Sequence, residues 1–294
     1  MRLSNEMTGK LLAAPGALYM LVFFLVPSAI LLVYSFWTAA SYRIVPDFTL
    51  VNYLNSLTSP LFWRVTGNAV VIGLLTAAAT LALALPVAYY LIYVSRSQAI
   101  LYLVLITWFS SYLVRIYAWR TLLGTNGLLN TILLQLGLID VPVEAFLFSR
   151  FAVAITLIHV YLPLCILMVV SSLRDIKKEL VEASRDLGTS PLGAFAKVIA
   201  PNAANGLIGA FVVTFILVAG DYVTPQMLGG SSGQTTGLLI ADQFRKTGNW
   251  PLGAAQAIIM FAITGILYFV IVAAGRAVGL VPNRKRSRQQ ESLA

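Results

Sequence analysis

Six long apolar stretches constrain the fold of this chain more than any other feature of its sequence. A helix rises about 1.5 Å per residue, so about 20 mostly apolar residues are needed to cross a bilayer. The stretches that meet this length are residues 15–37, 66–94, 99–123, 151–173, 205–228 and 252–278. Because lipid offers the backbone no hydrogen bonds, such stretches must form helices. We therefore predict an all-α membrane protein with six transmembrane helices.

We expect one transmembrane domain to account for residues 1–294, with a core at 11–280 and a basic tail at 281–294. Hydrophobic residues make up 59% of the chain and charged residues only 11%, whereas soluble domains carry about a quarter charged residues. The first apolar run, residues 11–37, exceeds the short apolar core of a cleaved signal peptide, which predicts that it stays as an anchor. The single cysteine, Cys165, offers no disulfide framework.

The net charge of +9 does not indicate nucleic acid, because the basic residues are scattered or flank the apolar stretches. Lys and Arg are distributed unevenly between the two sides of the membrane, and the richer side is cytoplasmic by the positive-inside rule. The richer set is Arg2, Lys10, Arg96, Arg174, Lys177, Lys178, Arg185, Lys197, Arg276, Arg284, Lys285, Arg286 and Arg288. The opposite set is Arg43, Arg64, Arg115, Arg120, Arg150, Arg245 and Lys246. We therefore expect membrane lipid around the chain, both termini in the cytoplasm, and external segments at 41–65 and 123–150. Within the second segment we expect a short helix at 128–136 along the membrane surface.

The longest polar segment, residues 174–201, separates the fourth and fifth stretches on the cytoplasmic side, and we call it the elbow. Apolar residues at helical spacing predict a helix over 176–187. Its predicted apolar face consists of Ile176, Leu180, Ala183 and Leu187. Gly188 is placed to end this helix, and Ser190 and Pro191 to begin a second one. We expect Leu192, Phe195, Ala196 and Ile199 to share one face of the second helix, and Pro201 to end it.

The elbow resembles the EAA loop of ABC-importer permeases. The matching residues are Glu182-Ala183-Ser184, then Gly188, then Ile199-Ala200-Pro201, with Ser184 in place of a second Ala and Ala200 in place of Leu. This resemblance implies a type I ABC-importer permease bundle in which the first helix of the elbow is a cytoplasmic coupling helix. Glu182 and Asp186 would then pair with basic groups of an ATPase, with Ala183, Gly188 and Pro201 in the same coupling role.

Other stretches look like the first permease of spermidine/putrescine-type importers. They are RIYAW at 115–119, GLLN at 127–130, LID at 138–140, DLG at 186–188 and NWPLGAA at 249–255. The resemblance covers roughly residues 11–280, and the subfamily also serves other organic cations, opines and related solutes. It implies a second, similar permease, two ATPase subunits, and a periplasmic or lipid-anchored solute-binding protein as partners. It also implies a bacterial inner-membrane location.

The sequence offers little to a catalytic interpretation. His159 is the only histidine and lies within an apolar stretch, where a hydrogen-bonded packing residue or a helix-bend partner is favoured over a triad or metal site. No phosphate-binding G-x-x-x-x-G-K-[ST] motif is present, and the glycine-rich stretch 229–233 is interpreted as a flexible turn. We expect no catalytic residue, metal or cofactor in this chain, and ATP with Mg²⁺ on the partner ATPase subunits.

Asp221 is the residue that most strongly indicates a solute path, because an ionisable group within a span is costly and often functional. Thr214, Asp221 and Thr224 fall on one face if the fifth stretch is helical throughout, with Tyr222 alongside. A carboxylate with aromatic neighbours suits a small organic cation, and the candidate aromatic residues of the third stretch are Trp108, Tyr117 and Trp119. An ion pair between Asp221 and Arg115 is an equally open alternative.

Three other functions remain open at this point. Arg115 and Arg120 facing a pore would favour an anionic or zwitterionic solute carried by the same machinery. A stand-alone secondary transporter or channel would need no ATPase, but it leaves the amphipathic elbow unexplained. A membrane-embedded enzyme would need paired catalytic groups, which the sequence does not supply.

Overall fold

The computed structural model describes residues 5–40, 43–95 and 97–277, so Arg2, Arg96 and the basic tail 281–294 lie outside the described residues. In chain order the α-helices are α1 (Asn5–Met20), α2 (Val26–Tyr34), α3 (Val51–Leu57), α4 (Pro60–Tyr89), α5 (Ala99–Phe109), α6 (Tyr112–Leu123), α7 (Leu128–Gln135), α8 (Arg150–Arg174), α9 (Lys178–Asp186), α10 (Pro191–Ala194), α11 (Ala200–Ala219), α12 (Thr236–Asp242) and α13 (Trp250–Ala277). Strands β1 (Thr38–Ala40) and β2 (Arg43–Val45) form an antiparallel hairpin. π-helical turns occupy Leu21–Leu25, Tyr90–Val94, Phe195–Ile199, Pro225–Gly229 and Gln243–Thr247, and Glu144–Phe146 is a 3-10 turn.

Within the described residues, five helices are long and apolar enough to cross a membrane. They are Leu12–Tyr34, Pro60–Val94, Arg150–Arg174, Pro191–Ala219 and Trp250–Gly275. α5 together with the segment Tyr112–Gln135 supplies a sixth crossing if the two count as one span. The all-α fold with up to six spans is therefore confirmed, and the short helix predicted at 128–136 is α7.

The third stretch is not the continuous helix that we predicted. The axis turns by 90° between α5 and α6, because Ser110 and Ser111 adopt extended conformations with ψ of 146° and 131°. The hydroxyl of Ser110 donates to the carbonyl of Thr107 at 2.9 Å and so satisfies part of the interrupted backbone. Serine side chains compete with helical hydrogen bonds in this way, and no proline or glycine marks the break.

The fifth span also departs from the prediction, because Pro201 does not end the helix of the elbow. Helix runs without interruption from Pro191 to Ala219, through the π-helical turn Phe195–Ile199. A proline lacks the amide that donates one turn back and clashes with that carbonyl, but a wider π-helical turn accommodates both effects. At its other end this helix stops at Ala219 with Gly220 as its cap, so the predicted extension to 228 is wrong.

The described chain divides into two compact units. One combines the described residues up to Trp63 with Leu239–Ala262, and the other combines Arg64–Leu238 with the described residues from Ile263 onward. In the first unit, the buried amide of Asn52 on α3 donates to the carbonyls of Ser35 and Trp37 at 3.0 and 2.6 Å, which fastens α3 to the end of α2. The expectation of a single domain over 1–294 stays a prediction.

In the second unit, α8 and α11 pack closely along one another. The hydroxyl of Ser172 on α8 donates to the carbonyl of Ala203 on α11 at 3.1 Å. A Cβ on Gly206 would overlap the side chain of Ser172, so this position requires glycine. Small residues at such a contact let two membrane helices approach closely. The pair α8–α11 carries both of the functional regions described below.

Candidate functional site

The elbow closes its first helix in the way that its sequence predicts. Gly188 follows α9 with φ of +82°, a left-handed conformation that glycine adopts without strain. Its amide donates to the carbonyl of Arg185 at 2.9 Å, and the amide of Thr189 donates to the carbonyl of Ser184 at 3.1 Å. These two bonds form a Schellman motif. Ser190 then caps the following helix by accepting from the amide of Gly193 at 3.1 Å.

α9 begins two residues later than predicted, because Lys177 is extended with ψ of 130°. The predicted apolar face is consequently divided. Ile176 of that face is buried together with Val181, which the prediction did not include, whereas Leu180 and Leu187 are exposed. The first pair anchors the elbow, and the second pair leaves an apolar strip on its free surface.

The anchor of the elbow is a continuous apolar cluster. Ile176 and Val181 pack with Ala194 and Ile199 of the following helix, and the same cluster contains Leu173 at the end of α8. Phe195 is partly buried against it, while Leu192 is 78% exposed and Ala196 is exposed, so these residues do not share the single face that we predicted. The π-helical turn shifts the register of the apolar positions.

The exposed surface of α9 includes four of the residues that the sequence analysis singled out. Glu182, Ala183 and Asp186 are exposed, as is Leu180. This surface therefore presents two carboxylates beside a small residue and apolar side chains. Pro201, the remaining residue of the predicted coupling set, lies inside the continuous helix rather than at its end.

Asp221 lies just beyond the end of α11, where the backbone is not helical, so it does not share a helical face with Thr214 as we predicted. Its side chain is buried, with 9% of the residue exposed. One carboxylate oxygen accepts from the hydroxyl of Tyr112 at 2.7 Å and from the amide of Val223 at 3.1 Å. The hydroxyl of Tyr112 also lies 3.0 Å from that of Thr224, which is fully buried. The other carboxylate oxygen is buried and has no hydrogen-bond partner among the described residues.

Arg115 and Asp221 form no ion pair in the part of the chain that the structure describes. The guanidinium of Arg115 donates instead to the carbonyl of Val160 at 2.9 Å and to that of Ser110 at 3.2 Å. The second bond holds the break between α5 and α6. Irregular backbone at membrane depth is tolerated where protein satisfies it or where it lines a cavity. Arg115 therefore has a backbone-binding role that the sequence does not reveal.

The predicted aromatic residues are only partly brought together. Trp119 donates from Nε1 to Nδ1 of His159 at 3.1 Å, which agrees with a packing role for that histidine. Tyr117 and Tyr222 are 55% and 39% exposed, and Trp108 lies before the break, on α5. Among the predicted solute-path residues, the structure thus brings Asp221 and Thr224 together but does not gather the aromatic side chains around them. It also adds a residue that we did not predict.

That added residue is Tyr112. It carries no signal of its own, because a tyrosine in an apolar stretch is common at membrane proteins' surfaces and cores alike. Its spacing of three residues from Arg115 on α6 places the two on one helical face, and this spacing was available in the sequence. No group of three or more His, Cys, Asp or Glu side chains within the described residues is arranged to hold a metal ion.

Relatives of known name resemble the chain over most of its length. It is 31% identical over 261 residues to the spermidine/putrescine transport system permease protein PotB of Escherichia coli K12, covering 88% of this chain and 94% of that protein. It is 29% identical over 289 residues to PotB of Haemophilus influenzae, covering 97% of this chain and 99% of that protein.

Solved structures agree on the fold. A bacterial ABC transporter involved in the import of the acidic polysaccharide alginate superposes with a TM-score of 0.74 at 15% identity, over 95% of this chain and 99% of that one. The MetNI methionine ABC transporter, in an inward-facing conformation, superposes with a TM-score of 0.51 at 21% identity, over 76% of this chain and 97% of that one. The family model described as binding-protein-dependent transport system inner membrane component matches residues 6–276. The chain therefore belongs to this family of multi-pass inner-membrane proteins and is the permease component of an ABC importer.

Proposed function

We propose that this permease carries a polyamine-like organic cation, of the spermidine or putrescine type, into the bacterial cell. The observation that carries the transport mechanism in this proposal is the continuous helix Pro191–Ala219, which connects the exposed elbow at one end with Asp221 at the other. At about 1.5 Å per residue its 29 residues extend roughly 40 Å, which exceeds the apolar thickness of a bilayer. A displacement of the elbow is thereby transmitted to the carboxylate.

The partners in this proposal are a second, similar permease, two ATPase subunits and a periplasmic or lipid-anchored solute-binding protein. The polyamine assignment draws on the names of the PotB relatives. A binding protein draws support from the alginate transporter, whose structure is described in complex with a periplasmic protein. ATP and Mg²⁺ belong to the ATPases, and this chain contributes no cofactor and no catalytic group.

The elbow is the ATPase contact in this proposal, and it faces the cytoplasm with both chain termini. Glu182 and Asp186 pair with basic groups of the ATPase, while Ala183 is small enough for close approach. Leu180 and Leu187 are exposed beside them and supply the apolar contact. Gly188 fixes the angle between α9 and the long helix, and Pro201 lies within that helix. Closure of the ATPases then moves the elbow as a rigid body and switches the permease between outward and inward access.

Asp221 is the cation contact in this proposal. Its second oxygen is buried and lacks a partner among the described residues, which leaves a full acceptor for an ammonium group. Thr224 and Tyr222 adjoin it in sequence, and the aromatic faces of Trp108, Tyr117 and Trp119 suit cation–π contact along the path. Arg115 already donates to two carbonyls, which favours a structural role over binding an anionic solute.

The experiment is uptake of radiolabelled spermidine by proteoliposomes containing the complete transporter, with ATP hydrolysis measured in parallel. Gly188→Val forces a β-branched residue into the left-handed region, so we expect uptake to fall about ten-fold or more while assembly and ATP hydrolysis persist. Gly137→Val is the matched control, because Gly137 ends α7 with φ of +67° and the same pair of hydrogen bonds.

Three outcomes would contradict the proposal. Normal uptake by the Gly188→Val variant would remove the elbow from energy coupling. Equal losses in both variants would show that the left-handed strain acts through general destabilisation. Failure of wild-type transporter to move spermidine, with uptake of an anionic solute instead, would replace the proposed substrate class.

A further inference from the structure

A polar pocket with a cavity volume of about 320 Å³ opens beside the elbow. It lies where three spans meet the elbow: the second ends at Val94, the third begins at Ala99 and the fourth ends at Arg174. Arg174 and Lys178 of the elbow line it, together with Ser95, Ser97 and Gln98 of the connection between the second and third spans. None of its described lining residues is acidic.

The polar lining residues have the chemistry of a phosphate site. Arginine and lysine supply charge-assisted donors, and the hydroxyl of Ser97, which accepts from the amide of Ala99, keeps its own proton to donate. The eleven-residue helix α5 begins at Ala99 beside it, so the partly positive end of that helix adds to the field. Arg174 and Lys178 are exposed and form no ion pair with another described residue. Two like charges facing one cavity favour an anion between them.

The pocket also has apolar lining residues. Leu91, Ile92, Leu101 and Val170 line it, and three of these, Leu91, Ile92 and Val170, belong to the apolar cluster that anchors the elbow. A free phosphate ion would leave these side chains uncovered. A molecule that carries both a phosphate and a hydrocarbon body covers both kinds of lining residue. The position at the ends of three spans is also the depth at which phospholipid headgroups lie.

We propose that this pocket binds the phosphate of an anionic phospholipid, with Arg174 and Lys178 as its principal ligands. Lys178 is the first residue of α9 and Ile176 lines the pocket just before it. A bound phosphate screens the repulsion between the two cations and holds the beginning of α9 against the ends of the second and third spans. Lipid binding thus steadies the elbow, an effect that lies beyond the transport function and is measured separately from it.

The test is native mass spectrometry of the complete transporter, released from nanodiscs of phosphatidylcholine with or without phosphatidylglycerol. We expect tightly retained phosphatidylglycerol on the wild type, and about ten-fold less on the Arg174→Gln/Lys178→Gln double variant. The matched control is Lys177→Gln/Lys197→Gln, which removes two positive charges from the same elbow at exposed positions that do not line the pocket. This control is expected to retain the lipid.

A second variant keeps the test independent of the charged residues. Leu101→Trp places a larger apolar side chain in the pocket without altering a charge. We expect this variant also to lose retained phosphatidylglycerol. Equal loss in the Lys177/Lys197 control would assign the effect to general surface charge and overturn the proposal. Inorganic phosphate at millimolar concentration is the remaining comparison. If it displaces the lipid, and if it stabilises the transporter in phosphatidylcholine alone as much as phosphatidylglycerol does, the ligand is a soluble anion instead. The lipid measurement can be interpreted whether or not the transporter takes up spermidine.

Discussion

At the scale of single residues, the decisive arrangement is the buried carboxylate of Asp221. One oxygen is fully engaged by Tyr112 and Val223, and the other has no partner among the described residues. A buried charge without full pairing is costly, so proteins retain it where the charge has a use. The charge rather than the shape of Asp221 is therefore the property to test.

Asp221→Asn separates these two properties. The amide oxygen of asparagine still accepts from Tyr112 and Val223, so we expect normal assembly and a nearly unchanged melting temperature. Loss of the charge should lower spermidine uptake at subsaturating concentration about ten-fold or more, since about 1.4 kcal/mol of lost interaction suffices. Asp242→Asn is the control, because that carboxylate pairs with Lys246 at 2.9 Å in an exposed i,i+4 pair. Unchanged uptake by Asp221→Asn would remove the carboxylate from the solute path.

The sequence reveals only half of this arrangement. Asp221 is conspicuous because an acidic residue inside an apolar stretch violates the usual pattern. Tyr112 and the carbonyl contacts of Arg115 are not, because they depend on the 90° turn between α5 and α6. Side chains that are separated by more than a hundred residues meet only through that turn. Hydrophobic periodicity indicates a continuous helix and does not predict such a break.

At the scale of elements, the contact between α8 and α11 makes the sharpest prediction. A methyl group on Gly206 would overlap the side chain of Ser172, so Gly206→Ala should destabilise the permease by about 1–3 kcal/mol. Ser172→Gly in the same chain should reduce the cost of Gly206→Ala, because it removes Oγ and Cβ of Ser172, the two atoms that the new methyl group would overlap. Gly209→Ala, where a methyl group meets nothing within 4 Å, is the control. Thermal unfolding of the four variants in detergent measures the cycle, and additive effects of Gly206→Ala and Ser172→Gly would refute the contact.

Residues that cap or interrupt helices predicted some helix ends correctly and one helix end wrongly. Gly188, Ser190 and Pro191 act locally, so their positions predict the end of one helix and the start of the next. Pro201 misleads because the π-helical turn before it removes the local conflict that normally ends a helix. The outcome depends on packing of Ala194 and Ile199 into the core, which local rules do not include.

At the scale of the whole molecule, the sidedness of the membrane is the property on which the transport proposal depends. α7 and its following loop precede α8, and the elbow follows it. Because α8 crosses the membrane once, Leu138 and Leu187 must lie on opposite sides. Both side chains are accessible for labelling, with exposed fractions of 66% and 87%. The excess of Lys and Arg on that side predicts that Leu187 lies in the cytoplasm.

Cysteine labelling with a membrane-impermeant maleimide tests this arrangement in a Cys165→Ser background, which removes the single native thiol. In vesicles that contain the permease without its ATPase subunits, we expect Leu187→Cys to react only when the vesicles are inside-out, because only a cytoplasmic elbow can meet an ATPase. Leu138→Cys should react only in right-side-out vesicles, which makes each variant the control for the other. Reaction of both from the same side would contradict the crossing by α8. Reversal of both patterns would still agree with one crossing by α8, but it would place the elbow outside the cytoplasm. An ATPase in the cytoplasm could then not contact the elbow, which would contradict the proposed coupling.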